Sequence, residues 1–263
     1  MAEEGFNKTL VVSIAVCLVC SLVVSSAAVL LAPRQAANRE HDRKERMAGI
    51  IAQVPGIEAL VESARAADLE THVVHLETGE YAQEIDPATY DQRKAAEDPE
   101  WSVAVPRERD VAGIRRVPHY AIVYLLRDDA AAIQLVILPV SGEGFASTIY
   151  GYVALGADLN TIRGMTFYEH EETPGLGAQI ESPEWLAKWQ GKQVRDASGR
   201  LRVHVAEGTV EPGSPAADYA VDAISGATWT SQGVSNLVRF WLGEDGFGPY
   251  LARLARTEER DRT

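Results

Sequence analysis

The residues best suited to bind or react with a ligand lie in one short stretch, residues 222–231. Small residues there let the backbone come close to a ligand, and hydroxyl side chains lie where a predicted amphipathic helix begins. The small residues are Ser225, Gly226 and Ala227, and the hydroxyl side chains are those of Thr228, Thr230 and Ser231. A helix start carries unpaired N–H groups and a partial positive charge, so it suits an anion such as phosphate. Local physics alone favours an ordinary capping turn, because Thr and Ser are common at helix starts.

A second stretch, residues 168–177, follows a predicted strand and forms a loop rich in turn residues. Pro174, Gly175 and Gly177 favour a tight loop with few side chains in the way, which would suit a planar ring. Without further context, a simple connection between a strand and a helix is the favoured interpretation. The polar side chains at the start of the loop are expected to be solvated. They are Glu169, His170, Glu171 and Glu172.

Short strands and a few helices are predicted to position these two stretches. The strands are predicted at residues 120–126, 132–138, 147–155, 162–169 and 201–206, the first two being joined as a hairpin by residues 127–129. Helices are predicted at residues 34–69, from Ser182 to about residue 190, and at about residues 231–242, where apolar residues recur at helical spacing. Antiparallel strands combined with a few helices predict an α+β fold.

The composition excludes several classes of protein. The chain has 263 residues and a formal net charge of −13, so an acidic surface is expected, and nucleic-acid binding is excluded. Both cysteines, Cys17 and Cys20, lie in the apolar N-terminal run, which excludes a disulfide framework in the rest of the chain. No metal site is predicted, because His72 and His75 lie three apart in a predicted strand and therefore point to opposite faces.

Residues 10–32 form an uncharged, largely apolar run of 23 residues. A helix of this length spans about 35 Å, enough for a hydrocarbon core of about 30 Å, so a single transmembrane helix is predicted. A cleaved signal peptide is the alternative, since the small residues 26–28 within the run offer a plausible cleavage site. More basic residues follow the run than precede it, and this bias taken alone would place the following domain in the cytoplasm.

Residues 222–230, Asp-Ala-Ile-Ser-Gly-Ala-Thr-Trp-Thr, resemble the flavinylation motif of the FMN-binding domain family. In that family the threonine that ends the Ser-Gly-Ala-Thr run carries FMN through a phosphoester bond. The resemblance implies that Thr228 is the attachment site of a covalent FMN. It also implies that the other residues of the motif bind the cofactor, namely Asp222, Ser225, Gly226 and Ala227.

Residues 172–177, Glu-Thr-Pro-Gly-Leu-Gly, resemble a second signature of the same family, a loop that flanks the flavin. The resemblance implies that this loop supplies flavin contacts from Thr173, Gly175, Leu176 and Gly177. One departure from the family occurs at Phe145-Ala146, where the family usually has Leu-Trp. A smaller side chain at Ala146 is expected to change the packing and polarity around the flavin.

Three further segments extend the resemblance to the C subunits of sodium-translocating NADH:quinone reductases. They are residues 7–10, residues 17–20 and residues 151–160. The resemblance implies an electron-carrying subunit, without independent catalysis, of a sodium-pumping complex that passes electrons from NADH to ubiquinone. It implies as partners the other subunits, the membrane, and a flavin transferase that attaches FMN outside the cytoplasm. The soluble domain would then lie on the periplasmic side of the inner membrane.

On this basis the chain is expected to be a transmembrane helix followed by an antiparallel-sheet FMN-binding domain with flanking helices. The expected regions are a short N-terminal segment (1–9), the transmembrane helix (10–32), a helical and irregular connecting region packed on the domain (33–116), the FMN-binding domain (117–255) and a charged tail (256–263).

Two other functions stay open at this point. One is the G subunit of an Rnf-type electron-transport complex, which shares the anchor and the acceptor motif but is shorter. Its partners and neighbouring genes would distinguish it. The other is a membrane-anchored binding domain without a redox role, which would show no flavin fluorescence after denaturation.

Overall fold

The computed structural model describes residues 69–128 and 131–261, together with residues 14, 16–18, 20, 21 and 25. The chain divides into two compact units, Met1–Arg46 and Met47–Thr263. In the first unit the described residues are helical and exposed. Most of the predicted transmembrane span, and the helix predicted over residues 34–69 except for its last residue, lie outside the described residues. Within the part of the chain that the structure describes, no helix has both the length and the apolar character needed to cross a membrane.

Among its described residues the second unit contains nine strands, four α-helices and one 3-10 helix. In chain order these are β1 (Leu69–His75), α1 (Gln92–Glu97), β2 (Ser102–Ala104), β3 (Arg116–Pro118), β4 (Tyr120–Arg127), β5 (Ile133–Glu143), β6 (Thr148–Gly156), β7 (Ile162–Glu169), the 3-10 helix (Gly177–Glu181), α2 (Pro183–Ala187), β8 (His204–Val205), β9 (Ala220–Val221), α3 (Thr228–Trp241) and α4 (Gly248–Asp261).

Five of the strands form one antiparallel sheet in the order β1-β4-β5-β6-β7. Its three central strands, β4, β5 and β6, are buried on both faces. In β4, for example, Val123 and Leu125 belong to the main core, whereas Ile122 and Tyr124 belong to a second apolar cluster on the other face. Burial on both faces explains why β4 is a continuous apolar run and does not alternate with polar residues. The predicted antiparallel sheet with flanking helices, and so the α+β fold class, is confirmed.

The predicted hairpin between β4 and β5 is present, and Asp128 closes it. Its backbone N–H donates to Ala132 O at 2.9 Å, and its side-chain Oδ1 accepts from Ala132 N at 2.9 Å.

The observed elements extend beyond the expected bounds of the domain. The sheet includes β1 and therefore starts at Leu69, within the expected connecting region. Helix α4 extends to Asp261, through most of the expected charged tail. The strand predicted at residues 201–206 is reduced to β8, which pairs in parallel with β9.

Helix α3 packs directly on the end of β5. A Cβ atom at Gly142 would lie 2.6 Å from Leu237 Cβ, so only a glycine lets the helix come this close. The indole N–H of Trp241 donates to Ser141 O at 2.7 Å and fixes the far end of the helix. Helix α2 begins as predicted after Ser182, whose hydroxyl accepts from Trp185 N, but it ends at Ala187 and does not reach residue 190.

Candidate functional site

The turn that leads into α3, residues 222–227, presents an uncapped helix start. Gly226 has a φ of +75°, a left-handed backbone conformation that residues other than glycine rarely adopt. Ala227 occupies the N-cap position and no side chain caps the helix. The helix begins at Thr228, three residues before the predicted start. The first N–H groups of α3 lack partners within the helix, so this end of α3 suits an anion.

The three hydroxyl side chains at the start of α3 have different surroundings. Thr228 is exposed, whereas Thr230 and Ser231 are only 2% and 3% exposed. Thr230 Oγ1 donates to the carboxylate of Glu172, and Ser231 Oγ accepts from Ile224 N at 3.0 Å. Thr228 is therefore the one of the three whose hydroxyl another molecule can reach. Ser225, earlier in the turn, is exposed as well.

Among the predicted site residues, Asp222 has a carboxylate that already accepts hydrogen bonds from other parts of the protein. It accepts from Lys188 Nζ at 2.5 Å and from Val210 N at 2.6 Å. Its backbone O accepts from Trp185 Nε1 at 2.9 Å. The hydrogen bond from Lys188, followed by that from Val210 N, holds the pKa of this carboxyl below its ordinary value. Asp222 therefore braces the turn against α2 and the 208–210 segment.

Replacing Lys188 by methionine is expected to lower the free energy of unfolding by about 0.5 kcal/mol at neutral pH, since this pair is partly exposed. Because the pKa of Asp222 is lowered in the folded state, the pair stabilises the fold above the unfolded pKa of about 3.9. That contribution is lost as the pH falls through the folded pKa. Urea unfolding of both proteins between pH 7 and pH 3 measures the difference, and a gap that persists undiminished at pH 3 would contradict this assignment.

The second predicted stretch meets the turn. Thr173, Gly175 and Leu176 are exposed, and Gly177 is buried. Thr173 O closes the loop by accepting from Leu176 N and from Ala178 N, both at 3.1 Å. A Cβ atom at Gly226 would lie 3.2 Å from Leu176 Cδ2, so the loop and the turn are in contact there. The structure thus brings both stretches together at the start of α3.

Large apolar side chains are exposed on the same two stretches and on the hairpin loop between β5 and β6. Trp229 is 72% exposed, Phe145 is 65% exposed and Leu176 is 44% exposed. Ala146, at the position where the family usually has Trp, is exposed as well. Exposed apolar side chains near a loop and a turn of this kind provide surface against which a flat apolar ring can pack.

Two side chains expected to be solvated, those of His170 and Glu172, are buried. The side chain of His170 is 7% exposed, and its Nε2 atom lies 3.3 Å from Glu181 Oε1 without the geometry of a hydrogen bond. Glu172 is 3% exposed, and its carboxylate accepts from Ala146 N at 2.9 Å as well as from Thr230. The expectation that these two side chains are solvated was therefore wrong. No local pattern separates Glu172 from its exposed neighbour Glu171, since the difference arises from tertiary packing.

Comparison with known proteins gives this arrangement a context. Residues 144–243 match the sequence model of the FMN-binding domain family. The C subunit of the Na(+)-translocating NADH-quinone reductase of Pseudomonas aeruginosa is 44% identical over 258 residues, which cover 97% of this chain and 98% of that protein. The corresponding protein of the same name from Vibrio alginolyticus is 42% identical over 96% of each chain.

Two solved structures are similar in fold as well as in sequence. The crystal structure of Shewanella oneidensis NqrC matches with a TM-score of 0.68 and 36% identity, and the match covers 74% of this chain and 88% of that one. The C subunit of the Na(+)-translocating NADH-quinone reductase from Parabacteroides distasonis matches with a TM-score of 0.57 and 27% identity, covering 83% of this chain and 96% of that one.

Proposed function

The chain belongs to the family of C subunits of Na(+)-translocating NADH-quinone reductases, and we propose that it carries electrons within such a complex through an FMN attached covalently to Thr228. The observation that supports Thr228 as the attachment site is its exposed hydroxyl at an uncapped helix start, close to two hydroxyls that are buried. As a subunit of the translocase, the chain is not expected to catalyse a reaction alone.

The residues present fit this cofactor. The uncapped start of α3 suits the phosphate that joins FMN to the protein. Thr173, Gly175 and Leu176 are exposed on the loop that touches the turn, where they can contact the ring, and Gly177 is buried beside Thr230 at the inner side of that loop. FMN supplies the electron-carrying chemistry when bound, and the chain supplies the tether, the orientation and the local polarity. Asp222 acts on the cofactor indirectly, by bracing the turn.

The membrane arrangement is part of the same proposal. Residues 10–32 are uncharged and long enough to form a single transmembrane helix, with residues 1–9 before it and the connecting region 33–116 after it. The FMN-binding domain at residues 117–255, extended by β1 and α4, would then lie on the periplasmic side of the inner membrane. That placement gives a flavin transferase outside the cytoplasm access to Thr228. The remaining partners are the other subunits of the reductase.

Denaturing electrophoresis of the chain isolated from its own host tests the proposal. We expect a fluorescent band after denaturation, because a phosphoester bond survives loss of the fold. We also expect the mass of the peptide that contains Thr228 to be increased by the mass that one esterified FMN adds. A band without fluorescence, together with a peptide of unmodified mass, would rule out the carrier function.

A further inference from the structure

Glu172 joins three separate parts of the candidate site. One oxygen of its buried carboxylate accepts from Ala146 N, in the hairpin loop of residues 144–147. The other oxygen accepts from the hydroxyl of Thr230, in the first turn of α3. Glu172 itself begins the loop of residues 172–177. The carboxylate thus lies where the two loops and the flavin-bearing helix meet.

The backbone of two glycines, Gly177 and Gly144, lies close to this carboxylate. A Cβ atom at Gly177 would lie 2.7 Å from Glu172 Oε2 and 2.6 Å from Thr230 Oγ1. A Cβ atom at Gly144 would collide with Glu172 Oε1. A side chain at either position would displace the carboxylate or its neighbours from this arrangement, so the two glycines leave room for the hydrogen-bonded Glu172. The site is shaped around the glutamate side chain.

Neighbouring hydrogen bonds reinforce the same junction. Glu171 N donates to Ser147 Oγ at 2.7 Å, which ties the two loops together a second time. Glu172 N donates to His170 Nδ1 at 3.1 Å and fixes the backbone at the start of its loop. Burying a carboxylate costs several kcal/mol unless its oxygens are hydrogen-bonded, and here each oxygen receives a donor from a different element.

We propose that Glu172 is a positioning residue that holds the loops of residues 144–147 and 172–177 against the start of α3, and thereby sets the surroundings of the flavin at Thr228. This inference rests on the proposed function. Glu172 acts through the two loops and through Thr230, and it takes no part in the attachment of the cofactor. Its removal frees the loops that flank the flavin ring.

The test compares three variants of the full-length flavinylated protein. Glu172→Ala removes both hydrogen bonds. Glu172→Gln keeps an amide oxygen for Ala146 N and an amide N–H for the Thr230 oxygen. Glu171→Gln is the matched control, because it changes the same charge at the exposed neighbouring position. The readouts are the decay of flavin fluorescence anisotropy, the flavin midpoint potential and the melting temperature.

We expect Glu172→Ala to retain the covalent flavin, to show faster anisotropy decay and to shift the midpoint potential. Glu172→Gln should restore both readouts most of the way, and Glu171→Gln should match the wild type. A lower melting temperature in Glu172→Ala with unchanged anisotropy and potential would show a merely structural role and overturn the inference. Glutamine behaving like alanine would overturn it as well.

If Glu172→Ala does not fold, Thr230→Val removes one donor while keeping the side-chain shape, and it should shift the same two flavin readouts in the same direction. An unchanged flavin in that variant would count against the inference. Failure of the proposed function is separate, because it would show as a wild-type protein without any denaturation-resistant fluorescence.

Discussion

Thr228→Ala is expected to abolish the covalent flavin completely while leaving the free energy of unfolding within about 0.5 kcal/mol of the wild type. The hydroxyl that the proposal assigns to the phosphoester is lost, and no second acceptor remains in the exposed part of α3's first turn. Stability changes little, because the Thr228 side chain is exposed and alanine is a better helix former than threonine. In-gel fluorescence, the mass of the 222–231 peptide and urea unfolding measure the two effects.

Thr209→Ala is the control for this substitution, since it removes an exposed threonine hydroxyl outside the turn. It should retain full fluorescence. Membranes of a host that lacks this chain should regain sodium-dependent quinone reduction with the wild-type or Thr209→Ala chain and remain inactive with Thr228→Ala. Persistent fluorescence in Thr228→Ala would move the attachment elsewhere, and Ser225, the other exposed hydroxyl of the turn, would be the first position to inspect by mass.

Gly233→Ala is expected to destabilise the protein by about 1–3 kcal/mol, although the same change in an exposed helix interior stabilises by roughly 1 kcal/mol. Gly233 lies in the middle of α3 and is buried. A Cβ atom there would lie 2.6 Å from Glu143 O and 3.1 Å from Gly144 Cα, and both of these are backbone atoms that a rotamer change cannot move aside. The helix would have to move away from the hairpin loop.

Urea unfolding measures this effect, with Gly208→Ala as the matched control. Gly208 is exposed, and a Cβ atom there meets nothing within 4 Å, so its replacement should leave stability unchanged or slightly increased. A Gly233→Ala protein as stable as the wild type would mean that α3 does not approach the end of β5 as closely as described. It would also weaken the case for the junction at Glu172.

The parts of the fold that could be predicted from the sequence are those set by local pattern. The β4–β5 hairpin follows from two apolar runs around Asp128, and the start of α2 follows from Ser182 and the proline after it. The bounds of β7 were predicted to the residue. The start of α3 was misplaced by three residues. The hydroxyls of Thr230 and Ser231 indicated a cap, but Thr230 bonds to Glu172, 58 residues away, and Ser231 accepts from Ile224 N in the preceding turn.

The candidate site was predictable by resemblance at the level of its two stretches, and less so at the level of each side chain. A motif shows that Asp222 precedes the turn, but its carboxylate bonds to Lys188, a partner that only the fold brings near. Glu172 was assigned to a solvated run for the same reason. Its burial depends on Ala146 and Thr230, which are 26 and 58 residues away along the chain.

The different exposure of the three hydroxyls at the start of α3 has a consequence for regioselectivity. Thr228, Thr230 and Ser231 carry alcohols of similar intrinsic nucleophilicity within four residues of each other. In the folded domain the last two are buried, at 2% and 3% exposed. If FMN is attached at Thr228 as proposed, the tertiary structure itself distinguishes Thr228 from the other two hydroxyls, and an unfolded peptide with the same residues would not.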